Sequence, residues 1–294
     1  MLRISIIGLD SSHTIEFARR LMAPDCPPEQ KVDGGKVTAV MRFETPFQNA
    51  EGLDSRQKQL ESWGIPVTTN LNQAIQGCDA IILCINDPSL HLDYFRQIAG
   101  LGKPIFVDKP LADTAANAKQ ILEAASENKT AFFSCSSLRF VPQLLDACSK
   151  VADPILVSTF GPLGKAAAGS SIVWYGVHAV EMMQRALGRG ARTVKTIEDK
   201  TGALLIVGYD DARRGVVELC RNAWHYGGTV RGKEAAAFVA DTSRLYTDLL
   251  RQILEFFRTK SPPVDPLDAL EVTAILDAAE RSAGSNGRVE PVTL

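Results

Sequence analysis

The sequence lacks the features that mark several classes of protein. None of its apolar runs approaches the ~20 residues that a membrane-spanning helix needs. Its 32 Lys and Arg residues nearly balance its 34 Asp and Glu residues, and no basic run occurs. Bulk charge would therefore attract neither nucleic acid nor an anionic membrane, and we expect neither as a partner.

The six cysteines are spaced in a way that argues against a thiolate zinc site. No two of them stand in a C-x-x-C spacing, and Cys78 and Cys84 flank or lie within an apolar run, where reduced cysteine is common. The N-terminal segment MLRISIIGLD has neither the long apolar region nor the small-residue cleavage site of a secretory signal. We therefore expect a cytoplasmic protein, and we expect no bound metal.

The pattern of the sequence changes near residue 135. Before that point, short apolar runs such as residues 80–85 alternate with helix-like stretches. This rhythm predicts a Rossmann-type, doubly wound parallel sheet in a dinucleotide-binding domain over residues 1–135. Later strand candidates follow with fewer helices, which predicts an α+β domain with a large, mostly antiparallel, open-faced sheet over residues 136–294. The expected fold class is α/β.

Four strands and two loops are predicted in the second part of the chain. The strand candidates are residues 155–160, 203–207, 215–220 and 236–240. The stretches 161–171 and 221–229 are expected to be loops that determine specificity.

The first predicted strand ends in GLDSSH, where a dinucleotide-binding turn would read G-x-G-x-x-G. Gly8 takes the first glycine position, Asp10 the second and His13 the third. Ser11 and Ser12 could present hydroxyl and N–H groups to a phosphate at a helix start. Asp10 or Ser11 could equally be a helix N-cap, and an ionised Asp10 would repel a phosphate unless it is turned away.

Polar residues also follow the next predicted strands. Arg42 stands where an NAD site usually has an acidic residue, and an arginine there can face a 2′-phosphate, which favours NADP. A solvated surface arginine is the alternative. Asn86, Asp87, Pro88 and His91 follow the 80–85 run, and ligands bind beyond the carboxyl ends of such strands. We expect these residues at the cofactor, although Asp87 could simply cap the next helix.

A lysine follows the next strand, in the sequence VDKPLA. The ring of Pro110 favours an extended backbone at Lys109, from which the ammonium could polarise a substrate oxygen. A surface lysine is the alternative.

Several pieces of the sequence, in this order, resemble the glucose-fructose oxidoreductase / inositol dehydrogenase (Gfo/Idh/MocA) family of NAD(P)-dependent enzymes. That family carries a T-P-N-x-x-H turn, an A-G-K-x-V run, a strand-end E-K-P and a G-x-H-x-x-D helix. The corresponding pieces here are NDPSLH at 86–91, AGLGKPIFVDKPLA at 99–112, RFVP at 139–142 and YGVHAVEMM at 175–183. The resemblance covers nearly the whole chain, including its last two predicted helices.

The resemblance implies hydride transfer between NAD or NADP and a sugar, polyol or related hydroxy compound. Lys109 would polarise the reacting hydroxyl, and His178 would take its proton as general base. Glu181 lies one turn beyond His178 and would orient the imidazole or contact substrate. The small-molecule substrate would also meet Trp174, while Asp108 and Lys109 would touch the cofactor. A homodimer or homotetramer is expected, because the family's open sheet commonly packs against another subunit.

Three departures from the family pattern leave other functions open. Trp174 stands four residues before His178, where the family usually has an aspartate paired with the histidine, and Asp108 is a mild replacement for the glutamate of E-K-P. The glycine-poor first turn is the larger departure. Asp10, His13 and Trp174 therefore support a second hypothesis, a non-catalytic ligand-binding or regulatory member of the same fold family.

A third hypothesis is metal-dependent chemistry. Asp10, His13 and His91 lie on turns that follow parallel strands, and they could converge.

Overall fold

The computed structural model describes residues 1–294, and these divide into two compact units. The first unit consists of Met1–Asp108, Gln120–Ser134 and Tyr246–Asp265; the second consists of Lys109–Lys119, Cys135–Leu245 and Pro266–Leu294. The first unit thus includes a late segment that the expected boundary at residue 135 placed in the second domain. No helix combines the length and apolar character that crossing a membrane requires.

The chain forms thirteen strands, nine α-helices and two short 3-10 turns. The strands are β1 Leu2–Ile7, β2 Gly35–Met41, β3 Val67–Thr68, β4 Ala80–Leu83, β5 Ile105–Val107, β6 Phe132–Ser134, β7 Leu156–Pro162, β8 Ala191–Glu198, β9 Gly202–Tyr209, β10 Arg214–Cys220, β11 Gly227–Arg231, β12 Ala236–Val239 and β13 Glu290–Pro291. The α-helices are α1 Ser12–Met22, α2 Ala50–Ser62, α3 Leu71–Ile75, α4 His91–Ala99, α5 Ala115–Glu127, α6 Pro142–Lys150, α7 Ser171–Leu187, α8 Leu245–Thr259 and α9 Pro266–Gly284. The 3-10 turns are Pro88–Leu90 and Ser137–Phe140.

The first unit is built on a six-stranded parallel sheet with the order β3-β2-β1-β4-β5-β6. All four residues of β4 are buried, as expected for a parallel strand covered on both faces. The strand order reverses between β1 and β4, and ligands of doubly wound folds bind beyond the carboxyl ends of the strands at such a point.

A row of buried phenylalanines explains why the late segment belongs to the first unit. The ring of Phe106 in β5 lies 4.9 Å from that of Phe133 in β6, and Phe133 meets Phe256 of α8 at 5.0 Å. All three side chains are fully buried. Burial of each such ring stabilises the fold by about 1.5–3 kcal/mol, so α8 packs on the parallel sheet.

The second unit is built on a seven-stranded sheet with the order β12-β11-β7-β10-β9-β8-β13. Every neighbouring pair is antiparallel except β10 and β7, which run parallel. Helix α7 packs on β7 and β10, and α9 packs on β8, so one face of the sheet is covered. The predicted α/β class, with a parallel sheet and a mostly antiparallel second sheet, is confirmed.

Three strands of the second sheet, β8, β11 and the two-residue β13, lie outside the predicted strands. Strand β11 begins with two glycines inside the expected 221–229 loop. Because glycine is depleted in strands, the sequence favours a loop there. A Cβ on Gly227 would lie 2.5 Å from the Phe160 ring, and one on Gly228 would lie 2.5 Å from the Ser158 carbonyl oxygen. The glycines therefore permit the close approach of β11 to β7.

Candidate functional site

At its first glycine, the turn after β1 has the backbone conformation that a phosphate-binding turn requires. Gly8 has φ +109°, and a Cβ there would lie 2.2 Å from the Cys84 carbonyl oxygen. Ser11 caps α1, because its side chain accepts a hydrogen bond from the His13 backbone N–H at 3.1 Å. Ser12, the first residue of α1, is exposed. The positive end of a helix thus follows the end of β1, an arrangement that favours an anion.

The side chain at the second glycine position, Asp10, forms hydrogen bonds within the protein. It is 1% exposed, and both carboxylate oxygens lie 3.1 Å from the Asn86 backbone N–H. The Thr45 hydroxyl donates to it at 2.8 Å, and the Asn86 side-chain amide donates to the Asp10 carbonyl at 2.8 Å. Asp10 therefore ties together the turns that follow β1, β2 and β4. Burial raises the pKa of its carboxyl, although the hydrogen bonds from Asn86 and Thr45 act in the opposite direction.

The third glycine position holds a second buried interaction. His13 Nδ1 lies 2.9 Å from a carboxylate oxygen of Asp108, at the end of β5. The His13 ring packs edge-on against Tyr246, with centroids 5.0 Å apart. Burial, with Asp108 acting in the same direction, raises the pKa of Tyr246 to about 12. His13 and Asp108 thus join α1 to β5 from within the first unit.

The turn after β4 is only partly available to a ligand. Asp87 accepts a hydrogen bond from the Ser89 backbone N–H at 3.1 Å and so caps the turn that starts with the buried Pro88. His91 is fully buried, and its Nε2 donates to the Ile85 carbonyl oxygen at 2.9 Å. The His91 ring thus binds the local backbone, and its expected contact with a cofactor stays a prediction.

The hypothesis of a metal site finds no support in this geometry. The side chains of Asp10, His13 and His91 each bind a different protein partner. No group of three or more His, Cys, Asp or Glu residues is arranged to hold a metal ion.

Two arginines lie near the strand ends of the first unit. Arg42 Nη1 donates to the Asp54 carboxylate at 2.7 Å and to the Gln57 side chain at 2.6 Å, both on α2. Arg56, which sequence reasoning missed, donates to the Leu9 carbonyl oxygen at 2.8 Å. Burial lowers the pKa of Arg56, while the Asp10 charge acts to raise it. A half-buried guanidinium therefore lies beside the turn after β1.

In the second unit, Lys109 is held by an aromatic ring. Lys109 is 5% exposed, and its Nζ lies 5.1 Å from the centre of the Trp174 ring. This cation–π geometry is worth about 0.5–2 kcal/mol. Trp174 and His178 lie one turn apart on α7 and share a helix face. Lys109 and His178 therefore both lie next to Trp174.

His178 has a partner that sequence reasoning missed. Its Nδ1 lies 2.6 Å from the hydroxyl oxygen of Ser136, and its ring packs edge-on against Tyr226 at 5.3 Å. Ser136 is fully buried, whereas His178 is partly exposed. No motif could have indicated Ser136, because it lies 42 residues from His178 in the chain.

Glu181 binds Arg139 and the backbone of Ser136, the residue that contacts His178. It is 2% exposed, and its carboxylate accepts from Arg139 at 2.8 Å and from the Ser136 backbone N–H at 3.2 Å. Burial raises the pKa of Glu181, and Arg139 acts to lower it. A buried carboxylate needs internal donors, which Arg139 and Ser136 provide, and a role of Glu181 at the imidazole or the substrate stays a prediction.

A cavity of about 450 Å³ lies at the edge of the second sheet, beside the loop that leads into α7. Residues of the expected 161–171 loop line it together with the ends of β8, β10 and α9. They are Leu163, Gly164, Lys165, Gly169, Ser170, Ser171, Ile172, Glu198, Arg221, Glu280, Ala283 and Gly284.

Comparison with known proteins identifies the first part of the chain. Residues 4–135 match a family model described as oxidoreductase family, NAD-binding Rossmann fold. The curated protein "Putative oxidoreductase YceM" of Salmonella typhimurium is 31% identical over 91 residues, which are 30% of this chain and 29% of that protein. The matched segment thus spans less than a third of that relative.

Solved structures resemble the chain over its whole length. A probable dehydrogenase from Thermotoga maritima has a TM-score of 0.81 at 16% identity, with 99% of each chain covered. The myo-inositol dehydrogenase from Lactobacillus casei, solved with NAD(H) and myo-inositol, has a TM-score of 0.82 at 14% identity. That comparison covers 100% of this chain and 97% of the other. At such identities the likeness establishes the fold.

The charge of Asp10 should weaken binding of a dinucleotide. The variant Asp10→Asn keeps an oxygen acceptor for Asn86 and removes the charge, so NADH should bind about tenfold more tightly at pH 8. Because the pKa of Asp10 is raised, acid should neutralise it and tighten binding to the native protein, and this gain should shrink in the variant.

Fluorescence titration with NADH at pH 6 and pH 8 would measure both effects. The control is Asp79→Asn, which removes a carboxylate next to Arg3 at the opposite end of the sheet. Equal affinities for the native protein and the Asp10→Asn variant at both pH values would contradict the prediction.

Proposed function

We propose that the chain is an NAD-dependent oxidoreductase acting on a sugar, polyol or related hydroxy compound, because residues 4–135 match the model of an oxidoreductase family with an NAD-binding Rossmann fold. The strongest support is the placement of Lys109 and His178 beside Trp174 in the second unit. A buried ammonium and a partly exposed imidazole provide a hydrogen-bond donor and a proton acceptor, which oxidation of an alcohol requires.

In the proposed reaction, Lys109 and His178 have different roles at the substrate hydroxyl group. Lys109 donates a hydrogen bond to the reacting oxygen and stabilises negative charge on it. His178 accepts the hydroxyl proton, while the carbon–hydrogen bond breaks and its electron pair leaves as hydride. Bound NAD+ supplies the hydride acceptor in its nicotinamide ring. The products are a carbonyl compound, reduced cofactor and a proton on His178.

The first unit is the proposed holder of the cofactor. The close approach at Gly8 fits a dinucleotide turn, because a Cβ there would strike the neighbouring backbone. Ser11 and Ser12 at the start of α1 provide groups for the pyrophosphate, and Arg56 adds positive charge nearby. Asp10 and His13 replace two glycines, but their side chains are engaged inside the unit.

Aromatic rings beside His178 support a polyol or sugar as substrate. Trp174 packs on Tyr175 with centroids 4.5 Å apart, and Tyr175 packs on Trp224 at 6.1 Å. Trp224 is 65% exposed and can present its ring to a ligand. The Lactobacillus casei neighbour was solved with NAD(H) and myo-inositol, so inositols are the first compounds to test.

A non-catalytic, ligand-binding role is the second candidate. It is favoured by the charge of Asp10 at the phosphate turn and by Trp174 in place of a carboxylate next to His178. Turnover of any polyol with NAD+ would exclude it.

Removal of the lysine should stop the reaction without affecting the cofactor. In Lys109→Ala we expect kcat/KM to fall by about 100- to 1000-fold, because a charged donor to the reacting oxygen is lost. The Kd for NADH should change less than about twofold. NADH formation would be followed at 340 nm with myo-inositol, scyllo-inositol and a panel of hexoses.

The matched control is Lys119→Ala, which removes an exposed lysine. Native rates in Lys109→Ala would remove the lysine from the mechanism. NADH binding by the native protein without turnover of any compound in the panel would favour the second candidate.

We also propose that NAD is preferred over NADP. The preference for NADP that Arg42 suggests in the sequence stays a prediction, and the Asp54 carboxylate beside Arg42 argues against it. In Asp54→Ala the ratio of NADPH to NADH affinity should rise about tenfold, because Arg42 becomes available to a 2′-phosphate.

The control for this change is Glu61→Ala, which removes another carboxylate from α2. Calorimetry with both reduced cofactors gives the ratio. Tighter binding of NADPH than NADH by the native protein would contradict the proposed NAD preference and support the interpretation of Arg42 from the sequence.

The open face of the second sheet is proposed to pack against a second copy of this chain. Phe160, Ile197 and Phe238 lie on that face and are 41%, 45% and 75% exposed. Leu204 and Ile206 of β9 lie on the same face between them. An apolar surface of this extent is rarely left in water, which supports a homodimer or homotetramer.

A charge on this face should separate the subunits. Light scattering on the native protein should give at least twice the chain mass of 31.9 kDa. The double variant Phe160→Asp, Phe238→Asp should give the mass of one chain. Ile155→Asp is the control, because Ile155 is 53% exposed but outside this face. A monomeric native protein would contradict the proposal.

A further inference from the structure

We propose that Ser136 is the residue that positions His178 and selects its tautomer. This inference deepens the proposed function, since it concerns the residue assigned as the general base. Trp174, four residues before His178, offers no carboxylate to the ring. The hydroxyl of Ser136 lies 2.6 Å from Nδ1 instead.

The serine holds the imidazole from its buried side. Ser136 is fully buried, while His178 keeps part of its surface exposed. The same hydroxyl oxygen accepts the Leu138 backbone N–H at 3.2 Å. A serine oxygen has two acceptor positions and one proton, so Oγ can accept Nδ1–H at its second acceptor position or donate its own proton to Nδ1. The role of His178 as general base requires the first arrangement, and this is the one that we propose.

The position of Ser136 is itself fixed by a charged pair. Its backbone N–H donates to Glu181 at 3.2 Å, and Arg139 holds the other oxygen of that carboxylate at 2.8 Å. Arg139 also donates to Gln184 at 2.8 Å. Glu181 thus acts on the His178 ring indirectly, through the position of Ser136.

The consequence is a defined tautomer of the neutral ring. When Nδ1–H donates to Ser136, the lone pair of a neutral imidazole lies on Nε2, and Nε2 becomes the proton acceptor. Ser136 carries no charge, so it orients the ring without the electrostatic stabilisation that a carboxylate would give to an imidazolium.

The test is the tautomer of His178, which a purely structural role for Ser136 would leave unchanged. The full chain is labelled with 15N-histidine, and long-range 1H–15N spectra report which ring nitrogen carries the proton. The His178 signals are assigned by their loss in His178→Asn. We expect the Nδ1–H form in the native protein and a shift toward the Nε2–H form in Ser136→Ala.

Two further variants control the measurement. Ser137→Ala changes the adjacent buried serine, which is 2% exposed, and should leave the His178 signals unchanged. Ser136→Cys retains a weaker hydrogen-bonding group of similar size and should give an intermediate shift. If circular dichroism shows that Ser136→Ala does not fold, the His178 tautomer is measured in Ser136→Cys instead. An Nε2–H form in the native protein, or the native tautomer in every folded Ser136 variant, would overturn the proposal.

Kinetics separate this inference from the proposed function. With a polyol that the native protein oxidises, Ser136→Ala should lower kcat about 10- to 100-fold and leave the KM for NAD+ unchanged. A shifted tautomer in a protein without turnover would support the positioning role and reject the enzyme. Turnover with an unchanged tautomer in Ser136→Ala would support the enzyme and reject the positioning role.

Discussion

The buried ion pair between Arg139 and Glu181 is the interaction on which the second unit's candidate site depends. Arg139 lies in the short turn Ser137–Phe140 that Ser136 caps, and Glu181 lies on α7 with His178. Arg139 also reaches Asp268 of α9 at 3.0 Å. Loss of one partner of such a pair costs about 3–5 kcal/mol, because the other charge is left buried. The pair therefore fixes three elements in place, and the geometry at His178 depends on it.

The first unit uses a buried carboxylate in a comparable way. Asp10 accepts hydrogen bonds from Asn86 and Thr45, which lie on two other turns. These turns are the ones at which a dinucleotide would bind. The carboxylate therefore stabilises the shape of this edge, while its charge would oppose that of a bound dinucleotide. Its raised pKa expresses the cost of keeping the charged form away from water.

The sequence allowed the fold to be predicted because hydrophobic periodicity distinguishes buried parallel strands from half-buried ones. Strand β8 was not predicted, because one of its inward residues is Thr196, whose hydroxyl donates to the Ala279 carbonyl oxygen at 2.8 Å. Its inward face is therefore not uniformly apolar, and the alternation is weak.

The candidate site was predicted less completely than the fold, and for a different reason. Lys109 and His178 lie in recognisable motifs, but Ser136 and Arg56 act through single contacts between distant parts of the chain. A serine in a loop and an arginine on an amphipathic helix are common, so neither has a sequence pattern of its own. The partners of Glu181 could not be predicted, because helical spacing shows that two residues share a face and leaves their partners undetermined.

The replacement of a carboxylate by Trp174 has two physical consequences that favour retained chemistry. A buried ammonium costs several kcal/mol unless its charge is compensated, and the indole ring compensates part of the charge of Lys109. The imidazole, without a carboxylate on its own helix, is held by the hydroxyl of Ser136. Both contacts hold in place, next to one aromatic residue, the groups that the proposed oxidation of an alcohol would use. Under the proposed function, Trp174 therefore changes how the lysine and the histidine are held while their roles stay the same.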